Sequence, residues 1–223
     1  MGATIHYTRP DGRPCQGYYA SPASRDRAVG IVVIQEWWGV NDQIKGVAER
    51  LVALGYRALI PDFYRGEVTV EAAEAEHLMN GLDFMDATTQ DIQGAVDYLR
   101  AGGSPKVAVT GFCMGGALTI LSAVRVQGLS AAVAWYGFPP AEAVDVRGMA
   151  IPLLGHFAEQ DEFFPISGAD ELEARLQAAN VACEIHRYPC RHAFANETRQ
   201  NYDPDAAALA WRRTAAFLRT HLA

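Results

Sequence analysis

Hydrophobic positions along this chain follow two periods in alternation. Residues 29–35 (VGIVVIQ) are almost continuously apolar and mostly β-branched, which predicts a strand covered on both faces. Residues 41–54 repeat their apolar positions at helical spacing, and Gly55 stops them. The same reading predicts further strands at 57–60, 106–110, 131–136, 152–158 and 183–188. Further helices are predicted at 71–81, 88–101, 116–126, 166–179 and 205–222. Before all of these, 4–8 and 15–20 read as a hairpin around Asp11-Gly12. Strands alternating with helices predict an α/β fold, a mostly parallel sheet with helices on both faces. The hairpin adds antiparallel strands at one edge. No repeat, linker or low-complexity stretch interrupts the pattern, so residues 1–223 read as a single domain.

Composition narrows the partners. The formal net charge of −7 argues against a nucleic-acid backbone or an anionic membrane surface. The opening MGATIHYTRPDG has no apolar core of the kind a signal peptide needs. His6 stands where a myristoylation signal needs Ser or Thr. No run approaches the roughly 18 apolar residues of a membrane span. The expected setting is therefore cytoplasmic and reducing, with Cys15, Cys113, Cys183 and Cys190 as free thiols. No Cys/His spacing resembles a zinc site, and no metal or organic cofactor is expected. The expected assembly is a monomer or weak dimer.

In such a sheet, chemistry gathers at the carboxyl ends of the strands. After 106–110 comes GFCMGG, residues 111–116. A strand turning sharply into a helix forces its apex residue into strained geometry, and neighbours two positions away must be small. Gly111 and Gly115 meet that need around Cys113. The arrangement predicts an exposed nucleophile at a helix N-terminus, where a thiolate is favoured. A small buried cysteine in a glycine-rich turn is the plainer alternative. After 152–158 come three acids, Glu159, Asp161 and Glu162. Asp161 is preferred because HFAEQDEFFP has the strand, loop, acid, aromatic and proline order of such folds. After 183–188 comes His192. Nucleophile, acid and histidine, each after its own strand, follow the chain order of an α/β-hydrolase triad. After 29–35 comes Glu36, facing the same rim, although a surface acid would read alike. The Trp37 and Met114 backbone N–H groups are placed to pair as an oxyanion hole.

QEWWG, PDFY, GFCMGG, AEQDEFFP and RHAF, in this order, resemble the dienelactone hydrolase (carboxymethylenebutenolidase) family over nearly the whole chain. The resemblance implies an eight-stranded α/β-hydrolase fold without a large lid. It implies a Cys113, Asp161 and His192 triad acting on a small ester or lactone through a thioester. It also implies that Glu36 keeps the resting cysteine inert. Trp38, Tyr64, His77, Tyr136, Phe163, Arg191 and Asn196 are the candidate substrate-binding residues. Two departures stand out. Asn196 occupies the place of a family arginine that binds the substrate carboxylate. Residues 66–91, where the second arginine belongs, hold no Lys or Arg and seven acids. Such a segment predicts a cleft that repels a carboxylate unless Arg191 or Arg199 compensates, so a neutral substrate is expected. Two alternatives use the same residues. The triad could act on a phosphotriester or thioester. In a non-catalytic protein, Cys113 could instead be a redox-sensing thiol, resolved by Cys190.

Overall fold

The computed structural model describes residues 2–23 and 27–223. Eight strands form one sheet in the order β1-β2-β4-β3-β5-β6-β7-β8. They are β1 (Ala3–Thr8), β2 (Pro14–Ala20), β3 (Gly30–Ile34), β4 (Arg57–Pro61), β5 (Val107–Phe112), β6 (Leu129–Trp135), β7 (Leu153–Ala158) and β8 (Cys183–Tyr188). From β4 through β3 to β8 every pairing is parallel, while β1–β2 and β2–β4 are antiparallel. The helices are α1 (Asp42–Ala53), α2 (Ala72–Asn80), the single turn α3 (Phe84–Asp86), α4 (Gln93–Ala101), α5 (Met114–Arg125), α6 (Ile166–Ala178) and α7 (Pro204–Leu222).

All five residues of β3 are buried, as a strand covered on both faces requires. Successive side chains point to opposite faces, so one strand feeds two cores. Ile31 and Val33 pack with Ile44 and Leu51 of α1 and Phe217 and Leu218 of α7. Val32 and Ile34 pack with Val96 and Leu99 of α4, Leu118 of α5 and Leu172 of α6.

Two elements differ from the periodicity. The helix expected at 88–101 is broken by a π-helical turn, Ala87–Ile92, ahead of α4. Hydrophobic spacing does not register one extra residue per turn. Buried Asp91 in this turn binds Arg9 Nη1 at 3.1 Å and Arg65 Nη2 at 2.9 Å, which ties the hairpin to it. The helix expected from Gly116 begins two residues earlier, at Met114, because β5 runs on to Phe112 and leaves a single residue for the turn.

Strand order reverses at β3, with β4 on one side and β5 on the other. The crevice at the carboxyl ends of β3 and β5 is therefore a topological switch point, where ligands of open α/β sheets bind. Glu36 and Cys113 lie just beyond those two ends.

Candidate active site

Cys113 is the turn between β5 and α5. Its φ of 56° and ψ of −119° lie in a region costly for any side chain. Tight packing holds it there. Its N–H donates to the Trp135 carbonyl at 3.0 Å, and its own carbonyl accepts from Gly116 N–H at 2.8 Å. A Cβ on Gly115 would lie 2.6 Å from the carbonyl oxygens of both Ile34 and Gln35, so only glycine lets α5 start this close to β3.

His192 and Asp161 arrive from the loops after β8 and β7. His192 Nδ1 lies 2.7 Å from Asp161 Oδ2. An ionised carboxylate only accepts, so Nδ1 carries the proton and Nε2 is left as the basic nitrogen. The other oxygen, Asp161 Oδ1, accepts the Phe163 and Phe164 backbone N–H groups, each at 2.9 Å. Phe164 stacks on the imidazole, with ring centroids 5.7 Å apart, and Tyr136 meets it edge-on at 5.2 Å. The ring is thus fixed in orientation and tautomer by groups from two other loops, those after β6 and β7.

Glu36 is buried and makes two hydrogen bonds. Tyr136 Oη donates to Oε1 at 3.1 Å, and Asn196 Nδ2 donates to Oε2 at 2.8 Å. Burial raises the Glu36 carboxyl above its ordinary range, while the Asn196 bond, the His192 charge, the Tyr136 bond and Arg199 pull it down. Burial also pushes the Cys113 thiol far above its ordinary value, and the Glu36 charge pushes it further. The Met114 N–H opposes both. The helix N-terminus was expected to favour the thiolate; in the resting site desolvation and a like charge outweigh it, and the thiol stays protonated.

Cys113, His192 and Glu36 line one cleft of about 640 Å3 together with Trp37, Trp38, Met79, Phe84, Met114, Phe138, Phe163 and Phe164. Of the candidate substrate-binding residues, Trp38 and Phe163 are in this wall. The other five are not. Tyr64 is buried, its hydroxyl 3.6 Å from Met114 Sδ. His77 is exposed on α2, two residues from the lining Met79. Tyr136 and Asn196 are buried on Glu36. Arg191 faces outward to Glu162 at 3.4 Å, with both side chains mostly exposed.

The acidic segment 66–91 also departs from expectation. None of its seven acids lines the cleft, and Asp86 and Asp91 are engaged by Arg9. What this segment contributes to the wall is apolar, Met79 and Phe84. Arg199 lines the cleft instead, its guanidinium 3.6 Å from the centre of the Trp38 ring. Among the described residues its Nε has no hydrogen-bond partner. Its only sequence signal is an arginine seven positions after the histidine. Among the described residues no three His, Cys, Asp or Glu side chains gather as a metal site, and no helix is long and apolar enough to cross a membrane.

The chain is similar to known proteins over nearly its whole length. The family model described as "Dienelactone hydrolase family" matches residues 15–222. The chain is 32% identical to the protein usf of Aquifex pyrophilus, with 100% of each covered. It is 33% identical to a Salmonella typhi protein bearing the name carboxymethylenebutenolidase, over 96% of this chain and 85% of that one. A crystal structure of a Klebsiella pneumoniae protein designated a dienelactone hydrolase superposes with a TM-score of 0.87 at 27% identity, covering 98% of this chain and 99% of the other.

Proposed function

The chain belongs to the dienelactone hydrolase family, and from that membership we propose that it hydrolyses small carboxylic esters or lactones with Cys113 as nucleophile. The observation that carries this reading is a strained Cys113 sharing one apolar cleft with a His192 that Asp161 holds at 2.7 Å. On substrate binding, His192 Nε2 takes the thiol proton and the sulfur attacks the carbonyl carbon. The Trp37 and Met114 N–H groups receive the developing oxyanion. The protonated imidazole returns its proton to the leaving oxygen, and a thioester remains on Cys113. Water, deprotonated by His192, then attacks the thioester, releases the carboxylic acid and restores the thiol.

The apolar walls favour a substrate with an aromatic or aliphatic arm. With Asn196 turned to Glu36, hydrolysis does not depend on a substrate carboxylate. Attack begins from a neutral thiol, so a bound substrate is needed before the sulfur becomes reactive. The test is p-nitrophenyl acetate turnover by wild type and Cys113→Ala, with mass spectrometry of an acetylated Cys113 peptide after a rapid acid quench. The expected result is loss of turnover and of the adduct. Equal rates in the two proteins would remove Cys113 from the chemistry. A panel of lactones, thioesters and phosphotriesters then ranks the electrophiles.

A further inference from the structure

Asn196 is 1% exposed, and its side chain is committed on both ends. Its Oδ1 accepts the Thr198 N–H at 3.0 Å and the Thr198 hydroxyl at 2.7 Å. With the oxygen so occupied by two donors, the amide cannot flip, and Nδ2 must face Glu36 Oε2 at 2.8 Å. The backbone is held too. Asn196 N–H donates to the Ala193 carbonyl, and the Asn196 carbonyl accepts from Arg199 N–H. This turn follows His192 directly, so the loop that delivers the imidazole also delivers the amide.

We propose that Asn196 is a positioning residue: it acts on Cys113 through Glu36, fixing that carboxylate in place as an anion beside the resting thiol. The proposal rests on the reading of Cys113 as the nucleophile. Tyr136 anchors one carboxylate oxygen and Asn196 the other, so Glu36 has no freedom to turn toward a substrate. The charged and titratable groups around it and around the sulfur are Cys113 at the strand–helix turn, Tyr136 after β6, Asp161 after β7, and His192, Glu197 and Arg199 from the final loop. A neutral amide stabilises the carboxylate without the charge of an arginine. The negative field of Glu36 on the sulfur is therefore not cancelled, and the thiol keeps its proton until a substrate enters.

The readout is the pH dependence of Cys113 alkylation by iodoacetamide, followed on the Cys113 peptide by mass spectrometry. Asn196→Leu removes the donor, lets Glu36 take up a proton more readily, and relieves the sulfur of a like charge. Alkylation at pH 7 is expected to rise about tenfold, a fall of about one unit in the thiol midpoint. Glu36→Gln is expected to do the same, and Asn196→Leu added to it to do nothing more. Asn196→Asp, nearly identical in shape, sets a second carboxyl against Glu36 and is expected to move the midpoint upward once both ionise. It also serves as the folded comparison if the leucine variant does not fold. An unchanged profile in Asn196→Leu, an equal shift with and without Glu36, or shifts of the same sign for Leu and Asp would each overturn the proposal. Alkylation needs no ester turnover, so it decides the role of Asn196 whether or not Cys113→Ala abolishes hydrolysis.

Discussion

Asp161→Asn is the sharpest single perturbation of the proposed triad, because the structure dictates which way the new amide must lie. Asp161 Oδ1 accepts two backbone N–H groups, those of Phe163 and Phe164. An asparagine that kept its oxygen there would aim its NH2 at His192 Nδ1, where a carboxylate stood at 2.7 Å. The imidazole must then carry its proton on Nε2 and accept at Nδ1. That tautomer cannot take the proton of Cys113. The flipped amide would spare the histidine but set an NH2 against two backbone donors. Leaving those two N–H groups unsatisfied costs about 2–6 kcal/mol, whereas a change of imidazole tautomer leaves both of them paired. The unflipped amide therefore wins. Loss of correctly poised general-base catalysis is worth about 10²–10⁴ in rate, or roughly 3–5.5 kcal/mol of barrier. The assay is kcat/KM for p-nitrophenyl acetate, with Cys113→Ala as background, beside a melting curve. The expected result is a fall in kcat/KM of at least about a hundredfold with a nearly unchanged Tm. A variant within threefold of wild type, or one that loses stability while keeping its rate, would refute the reasoning.

Arg199 is a cleft-lining cation whose Nε has no hydrogen-bond partner among the described residues, so Arg199→Ala is expected to lower kcat/KM about tenfold more for p-nitrophenyl hemisuccinate than for p-nitrophenyl butyrate, the worth of one charged contact; equal losses would exclude a charge-selecting role. His156 is buried between Tyr188 Oη and Thr214 Oγ1, and burial, then His186, holds its pKa well below the ordinary value. The unfolded chain thus binds a proton the folded one refuses, so stability is full above about pH 6.5 and falls by roughly 1 kcal/mol for the first unit below it. Urea midpoints at pH 7.5 and 5.5 check this, and His156→Gln should flatten the slope. Gly115→Ala places a methyl 2.6 Å from the Ile34 and Gln35 carbonyls at the end of β3 and is expected to cost at least about 1–3 kcal/mol in thermal unfolding, with parallel loss of Cys113 alkylation selectivity.

Much of the candidate site is legible along the chain because local rules govern it. Cys113, Asp161, His192 and Glu36 each lie within four residues of a strand end, and parallel strands put all such residues on one rim. The small residues around Cys113 announce a tight turn before any fold is known. The eight-stranded sheet itself is legible for the same reason, since continuous and alternating apolar runs report burial on two faces or one. The candidate substrate-binding residues were far less legible. Tyr64, His77 and Tyr136 lie close in sequence to the right strands or helices, yet none lines the cleft. Proximity to a strand end does not determine where a side chain points.

What the sequence determined by itself was the identity and chain order of the candidate reacting groups, because elbow, acid and histidine are each defined within a few residues. Tertiary structure alone decided their state. Asn196 meets Glu36 across 160 positions, Arg199 stacks on Trp38 across the cleft, and the acids of 66–91 turn away toward Arg9 and solvent. The protonation of Cys113 is decided the same way. A helix N-terminus is a local feature and favours the thiolate, but burial and the field of Glu36 are sums over neighbours distant in sequence, and here those sums are larger.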